Sequence, residues 1–142
     1  MMRILGLDVG SKRIGIAISD ELGWTAQGIT TLHRRNGEGD LREIRDIVRH
    51  YGVEKIIVGL PRNMDGSLGP QAQLAIGFVQ ELREILDVPI ITWDERLSTI
   101  EATKMLIRAD LSRKKRKRKV DMMAAIIVLQ SYLDSLARKE NR

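Results

Sequence analysis

The chain has 142 residues, 43% of them hydrophobic, with 24 Lys and Arg against 19 Asp and Glu for a net charge of +5. That length suits one compact domain with a sizeable core, spanning 1–142, and is too short for two. With no cysteine, disulfides, thiolate metal sites and a cysteine nucleophile are excluded.

Arg3–Val9 reads as a short apolar strand, and Ile14–Ser19 alternates Ile14, Ile16 and Ile18 with small residues. Gly10-Ser11-Lys12-Arg13 joins the two tightly, which predicts a hairpin. A third strand is expected from about Trp24 to His33. Leu41, Ile44, Ile47, Val48 and Tyr51 then recur at helical spacing, and Gly52 stops that helix. Lys55–Leu60 is a buried strand, Pro61–Gly69 a loop, and Pro70 suits the first turn of the next helix. Ala75, Phe78, Val79, Leu82, Ile85 and Leu86 form one face of that helix.

A strand over Val88–Trp93 follows, and then a helix over Ser98–Ala109, whose Ser98 and Glu101 match a capping box. Arg113, Lys114, Lys115, Arg116, Lys117, Arg118 and Lys119 are seven consecutive cations, expected to form a solvated basic loop at about 110–120. Removing them leaves 17 cations against 19 carboxylates. The domain is therefore near neutral and carries one concentrated cationic segment, a pattern that points to nucleic acid. A final helix over Met122–Leu136 has a nearly all-round apolar first half. Three meandering strands followed by β-α units predict one α/β domain, a mixed sheet with helices on both faces.

No apolar stretch approaches the roughly 20 residues that span a bilayer. The N-terminus opens directly into a strand, without a signal-peptide core. A soluble, cytoplasmic protein is expected.

Neither G-x-x-x-x-G-K-[ST] nor G-x-G-x-x-G occurs, so those phosphate-binding loops are unsupported. His33 and His50 fall in no ligand-spaced cluster, and five aromatics are too few for a base-stacking platform. What remains is carboxylates in unusual places. Asp8 lies inside an apolar strand, where an ionised group costs several kcal/mol unless compensated; it is either a strand-end residue bonding turn amides or a metal ligand. Glu95 follows a strand at the edge where α/β domains assemble their sites, although it could simply pair with Arg96. Asp121 precedes eight apolar residues and suits a helix N-cap, a role compatible with pointing at whatever lies over the strands. Brought together, three carboxylates repel one another unless a cation sits among them, and an all-oxygen site suits Mg²⁺ or Mn²⁺. Such metals serve phosphodiester hydrolysis, for which the cationic segment would hold the polyanion.

Four stretches then carry a resemblance: L-G-L-D-V-G-S-K-R-I-G-I-A-I-S-D (Leu5–Asp20), V-G-L-P-R-N-M-D-G-S-L-G-P-Q-A (Val58–Ala72), W-D-E-R-L-S-T (Trp93–Thr99) and V-D-M-M-A-A-I-I-V-L-Q-S-Y-L (Val120–Leu133). In this order, over nearly the whole chain, they resemble the YqgF family. These are small bacterial proteins of the RNase H-like superfamily, related to Holliday junction resolvases and regarded as nucleases of pre-16S ribosomal RNA. The resemblance implies an RNase H-like fold with a five-stranded mixed sheet and flanking helices. It implies Asp8, Glu95 and Asp121 as catalytic metal ligands, with Lys12, Arg13 and Arg96 near the scissile phosphate. The expected activity is metal-dependent cleavage at the 5′ end of pre-16S rRNA in ribosome biogenesis. The partners are nucleic acid, as pre-rRNA or branched DNA, and ribosomal precursor particles, with no membrane and with the protein a monomer or homodimer. One departure stands out: related resolvases often carry a further carboxylate one turn after the last-helix aspartate, and here that position is Ala124.

Two alternatives stay open on function, a Holliday junction resolvase in DNA recombination and repair, and a non-catalytic RNA-binding ribosome-assembly factor. D-V-G-S-K-R-I-G also resembles the first phosphate loop of actin- and Hsp70-type ATPases, whose chains are far longer.

Overall fold

The computed structural model describes residues 3–97 and 113–140. Five strands and three helices make up the described elements: β1 (Arg3–Val9), β2 (Arg13–Ser19), β3 (Ala26–His33), α1 (Glu38–Tyr51), β4 (Val53–Leu60), α2 (Pro70–Ile85), β5 (Ile90–Asp94), a 3-10 turn (Glu95–Leu97) and α3 (Arg113–Glu140). The strands form one sheet in the order β3-β2-β1-β4-β5. β1, β2 and β3 pair antiparallel, whereas β1–β4 and β4–β5 are parallel. This is the mixed sheet that the sequence pattern predicts, with the five strands of the RNase H-like fold that the family resemblance implies.

The period-2 alternation of the strands divides the core in two. Leu5, Leu7, Val9, Ile14, Ile16, Ile18, Ile56, Val58 and Leu60 meet Ile44, Val48, Ala75, Phe78, Val79 and Leu82 of α1 and α2 on one face. On the other, Ile4, Ala17 and Ile57 meet Ala125, Val128, Leu129, Tyr132 and Leu133 of α3. Gly52 caps α1 in the left-handed region at φ 64°, a conformation glycine adopts without a Cβ penalty. Pro70 opens α2 as expected.

Boundaries shift where side chains take over backbone hydrogen bonding. β3 begins at Ala26 rather than Trp24 because Asp20 Oδ1 accepts the amide N–H of Trp24 at 2.7 Å and of Thr25 at 3.3 Å, closing a turn. Those bonds, Trp24's foremost, hold the Asp20 carboxyl below its ordinary range.

Two expectations fail in the last element. The basic run is not a loop: Arg113–Lys119 forms the first two turns of α3. Lys and Arg are good helix formers, and the run holds neither glycine nor proline. Asp121 therefore stands in the helix interior instead of at its N-cap. The helix expected over Ser98–Ala109, with its capping box, lies outside the described residues.

Candidate active site

Because Leu7 and Val9 point into the α1–α2 core, Asp8 stands on the opposite face, the one covered by α3. Across the antiparallel pair it faces Gly15. In the parallel pair Leu7 lies beside Val58, so the next step along the register sets Asp8 beside Gly59. The carboxylate is flanked on both neighbouring strands by residues without side chains.

Glu95 fills part of that space. Gly59 pairs with Trp93 on β5, and two residues later the 3-10 turn folds Glu95 back over the sheet. A Cβ built on Gly59 would lie 3.1 Å from Glu95 Oε1 and 2.9 Å from Val128 Cγ2. Glu95 is 1% exposed, so its carboxyl group is buried between the sheet and α3. Asp8 and Glu95 thus share one face, on either side of the Gly59 column.

α3 crosses this face closely because glycines let it. A Cβ on Gly6 would lie 2.7 Å from Leu129 Cβ and 3.1 Å from the Ala125 carbonyl oxygen, and one on Gly28 would lie 2.7 Å from Met122. The helix direction follows from two contacts. Lys55, near the start of β4, donates to the Tyr132 hydroxyl at 3.0 Å, whereas Gly59, near its end, lies under Val128. The N-terminal part of α3 therefore runs toward the C-terminal ends of β1 and β4, where Asp8 and Glu95 stand. Asp121 lies one turn, about 6 Å, before Ala125 along that helix, and its side chain lies outside the described residues. Ala124 is buried. Among the described residues no group of three His, Asp or Glu is disposed to hold a metal ion.

The β1–β2 turn is anchored from a direction the sequence does not reveal. The Gly10 amide donates to the Arg13 carbonyl at 2.8 Å, leaving Lys12 exposed at the tip. The Arg34 amide donates to the Lys12 carbonyl at 2.8 Å, and the Arg34 guanidinium donates to the Gly10 carbonyl at 3.1 Å. That guanidinium lies 5.2 Å over the Phe78 ring and pairs with Asp40 at 3.6 Å. Asp40, itself buried, also accepts the amides of Arg35 and Asn36. Arg34 is a positioning residue for the turn that follows Asp8. An acidic residue in the first turn of a helix can be read from sequence, but a half-buried arginine reaching back to a distant turn cannot.

Arg96 pairs with Asp94. The turn brings its amide to Asp94 Oδ1 at 2.9 Å, and its guanidinium grips the Asp94 carboxylate, with Nη2 2.8 Å from Oδ2. Arg62 adds a longer contact at 3.8 Å. The Arg96 hydrogen bonds, then its charge and that of Arg62, hold the Asp94 carboxyl below its ordinary value, and Asp94 in turn raises Arg96. Of the residues singled out in the sequence, the structure brings Asp8, Glu95 and Arg96 to one edge of the sheet. Lys12 stands in the turn just beyond Asp8, and Arg13 opens β2. The side chains of the basic run lie outside the described residues, so only its helical backbone is placed.

A family model described as "RuvX: Holliday junction resolvase" matches residues 2–135. A Clostridium tetani protein named "Putative pre-16S rRNA nuclease" is 56% identical over 138 residues, covering 97% of this chain and 100% of its own. A protein of the same name from Desulforamulus reducens is 53% identical over 137 residues, covering 96% and 100%. Among solved structures, RuvC of T. thermophilus in complex with a Holliday junction substrate superimposes with a TM-score of 0.64 at 17% identity, covering 99% of this chain and 97% of that one. The fowlpox virus resolvase bound to Holliday junction DNA gives 0.56 at 16% identity, covering 95% and 99%. At such identities these two likenesses speak for the fold.

Proposed function

The chain belongs to the RuvX Holliday junction resolvase family, and from that premise we propose that it is a nuclease whose divalent-metal site is built from Asp8, Glu95 and Asp121. The observation that carries the reading is the burial of Glu95 over Gly59, on the face and at the level of Asp8. Two carboxylates on one covered face, each next to glycine, put polar groups where an apolar core gains nothing from them.

The donor set fits a hard cation. It offers only carboxylate oxygens, without sulfur or imidazole, which suits Mg²⁺ or Mn²⁺. Asp8 would offer its oxygens from the end of a central strand and Glu95 from the turn after β5, while the backbone of Asp121 stands on α3, so that each belongs to a separate element. Such an ion, when bound, supplies Lewis-acid chemistry for phosphodiester hydrolysis. The chain's own work is to fix the geometry. Gly15 and Gly59 keep space open beside Asp8, and α3 excludes water from the inner side of Glu95. Arg34 holds the turn that presents Lys12 and Arg13 to a phosphate backbone, where Arg96 and the Arg113–Lys119 helix turns add positive charge.

The substrate we assign is the 5′ region of pre-16S rRNA, supported by the shared name of relatives more than half identical over nearly their whole length. A second reading, cleavage of a four-way DNA junction, is favoured by the family description alone. Among the described residues no helix is long and apolar enough to cross a membrane, and the assigned substrate implies a cytoplasmic site of action.

The test is cleavage of an end-labelled rRNA precursor stem, single-stranded RNA and a DNA four-way junction by wild type, Asp8→Asn and Glu95→Gln, each in Mg²⁺, Mn²⁺ and EDTA. The expected result is metal-dependent cutting of the precursor, lowered at least about 100-fold by either substitution while the fold and salt-sensitive binding persist. Cutting that survives Asp8→Asn or EDTA overturns the site. Preference for the junction replaces the assigned substrate with the second reading.

A further inference from the structure

The turn between β2 and β3 lies at the end of the sheet away from the carboxylates. Asp8 faces Gly15 across the β1–β2 pair, and the turn begins after Ser19, about 13 Å further along β2. It carries two large apolar side chains in the open: Leu22 is 67% exposed and Trp24 73%. Single apolar residues are common on surfaces, but these two stand two positions apart on a backbone that is fixed from both sides. From within, the Asp20 amide donates to the Thr25 carbonyl at 3.0 Å and the Gly23 amide to the Asp20 carbonyl at 3.1 Å. Gly23 takes φ 73°, a region other residues avoid, and Asp20 Oδ1 accepts the Trp24 amide. From α3, Gln130 Nε2 donates to the Trp24 carbonyl at 2.9 Å, and Gln130 Oε1 accepts the Ala26 amide at 3.0 Å. Asp134 Oδ1 accepts a further bond from Gln130 Nε2 at 3.0 Å, which orients that amide. These bonds use the backbone of Trp24 and leave its indole in water.

Tryptophan is a favoured anchor at protein interfaces, and a backbone ordered in advance loses less entropy on binding. β3 continues the surface. It stands at the edge of the sheet, where no strand pairs with its outer side among the described residues. Ala26–Leu32 holds neither charge nor proline, the usual guards of such an edge. Charge then selects the occupant. Of the charged side chains tied to the turn, Asp20, Glu21 and Asp134 are carboxylates, and Arg3 answers Glu21 across 3.9 Å. This acidic end repels a phosphate backbone, and two such turns meeting in a symmetric pair would set like charges together. A protein that coats a polyanion such as rRNA carries cationic surface and offers the complement.

We propose that the β2–β3 turn is a protein-docking knob: Leu22 and Trp24 enter an apolar cleft on a basic protein of the ribosomal precursor particle. The cations around that cleft face Asp20, Glu21 and Asp134, while Asp8 and Glu95 address the rRNA from the other end of the sheet. This rests on the pre-rRNA reading and deepens it, because the particle is then held through a protein as well as through its RNA.

The test compares binding of the full-length protein to purified small-subunit precursor particles and to the same pre-rRNA stripped of protein. Trp24→Ala and Glu21→Lys should each weaken particle binding at least about tenfold. Binding and cutting of the stripped RNA should be unchanged, as should the urea midpoints, because both side chains are exposed. With Leu22 replaced by p-benzoylphenylalanine, irradiation should cross-link the chain to a basic protein of the particle. Particle binding that is absent, or that survives Trp24→Ala, overturns the knob. An equal loss on stripped RNA would make the turn a nucleic-acid contact, and cross-links between two copies would make it a self-association surface; either overturns the proposal. If wild type cuts no RNA yet Trp24-dependent particle binding is present, the nuclease reading fails and the docking stands. Cutting of stripped RNA together with Trp24-independent particle binding removes the docking alone.

Discussion

On the α1–α2 side, the three central strands present Leu5, Leu7, Val9, Ile14, Ile16, Ile18, Ile56, Val58 and Leu60. On the α3 side, the same strands present Gly6, Asp8, Gly15, Ala17, Ser19 and Gly59, with larger side chains at Ile4, Ile57 and Lys55 among others. One face is filled by side chains from both layers, and its stability comes from apolar burial. The other is shallow, so the helix backbone itself comes down to the sheet, and polar groups occupy what would be core. Ser19 illustrates this: its hydroxyl accepts the Ile4 amide at 2.9 Å, a buried polar pair inside the α3 face. The contrast teaches a division of labour, in which the deep core makes the fold stable enough for the shallow face to hold carboxylates.

The largest effect that tests this division is expected from Phe78→Ala. Phe78 is buried in the deep core and also lies under the Arg34 guanidinium. Truncation should cost about 3–5 kcal/mol, from lost burial plus the cavity left behind, read as a lower urea midpoint with an unchanged slope. Cleavage per folded molecule should fall only modestly. A collapse of activity in protein that is still folded would show that the two faces are coupled through Arg34 and the β1–β2 turn.

Gly59→Ala probes the shallow face at its tightest point. The new methyl would meet Val128 Cγ2 at 2.9 Å and Glu95 Oε1 at 3.1 Å, so one or both must shift. A cost of about 1–3 kcal/mol is expected from overpacking, smaller than for Phe78→Ala. The loss of cleavage should nevertheless be larger, because Glu95 is the group displaced. Measuring midpoint and single-turnover rate on the same preparations compares the two variants directly. If Gly59→Ala loses stability and keeps its rate, Glu95 does not need its observed position.

The sequence reveals the two faces unequally, and the reason is physical. The deep face announces itself through large residues at periods of 2 and 3.6, which is why β1, β2, α1 and α2 are read with small boundary errors. Asp8 is conspicuous as a carboxylate amid those residues. The shallow face has a weak hydrophobic signal, because its contacts are made by absent side chains. Nothing in V-G-L shows that Gly59 underlies a glutamate 36 positions later. The start of α3 is hidden for a different reason. A run of seven cations looks like solvated loop, yet its residues favour helix, and α3 continues from it without a break. Asp121 consequently belongs to a helix interior, while its pairing with a long apolar segment remains as the sequence has it. Arg96 next to Glu95 suggests an ion pair between neighbours, whereas the tight turn brings Arg96 to Asp94.

That last pair gives the smallest effect and the sharpest pH signature at the edge between the two faces. Asp94 joins the β5 end to the β4–α2 loop through Arg96 and Arg62. Its carboxyl lies below the ordinary 3.8 in the folded protein, chiefly because Arg96 donates to it. A carboxyl lowered on folding contributes stability that is complete above the unfolded value and disappears as pH falls through the lower folded one. Asp94→Asn should therefore reduce stability slightly and by a constant amount above about pH 5, and its difference from wild type should shrink as pH drops below about 4. Urea midpoints at a series of pH values measure this. A gap that instead changes between about pH 6 and 8 would assign the dependence to a histidine rather than to Asp94. At neutral pH the same variant should cleave with a raised KM and little change in kcat, because the loop loses its anchor while Asp8 and Glu95 keep theirs. A fall in kcat alone would mean that Asp94 holds Glu95 in place, and the latch would then belong to the buried carboxylate site rather than to the loop.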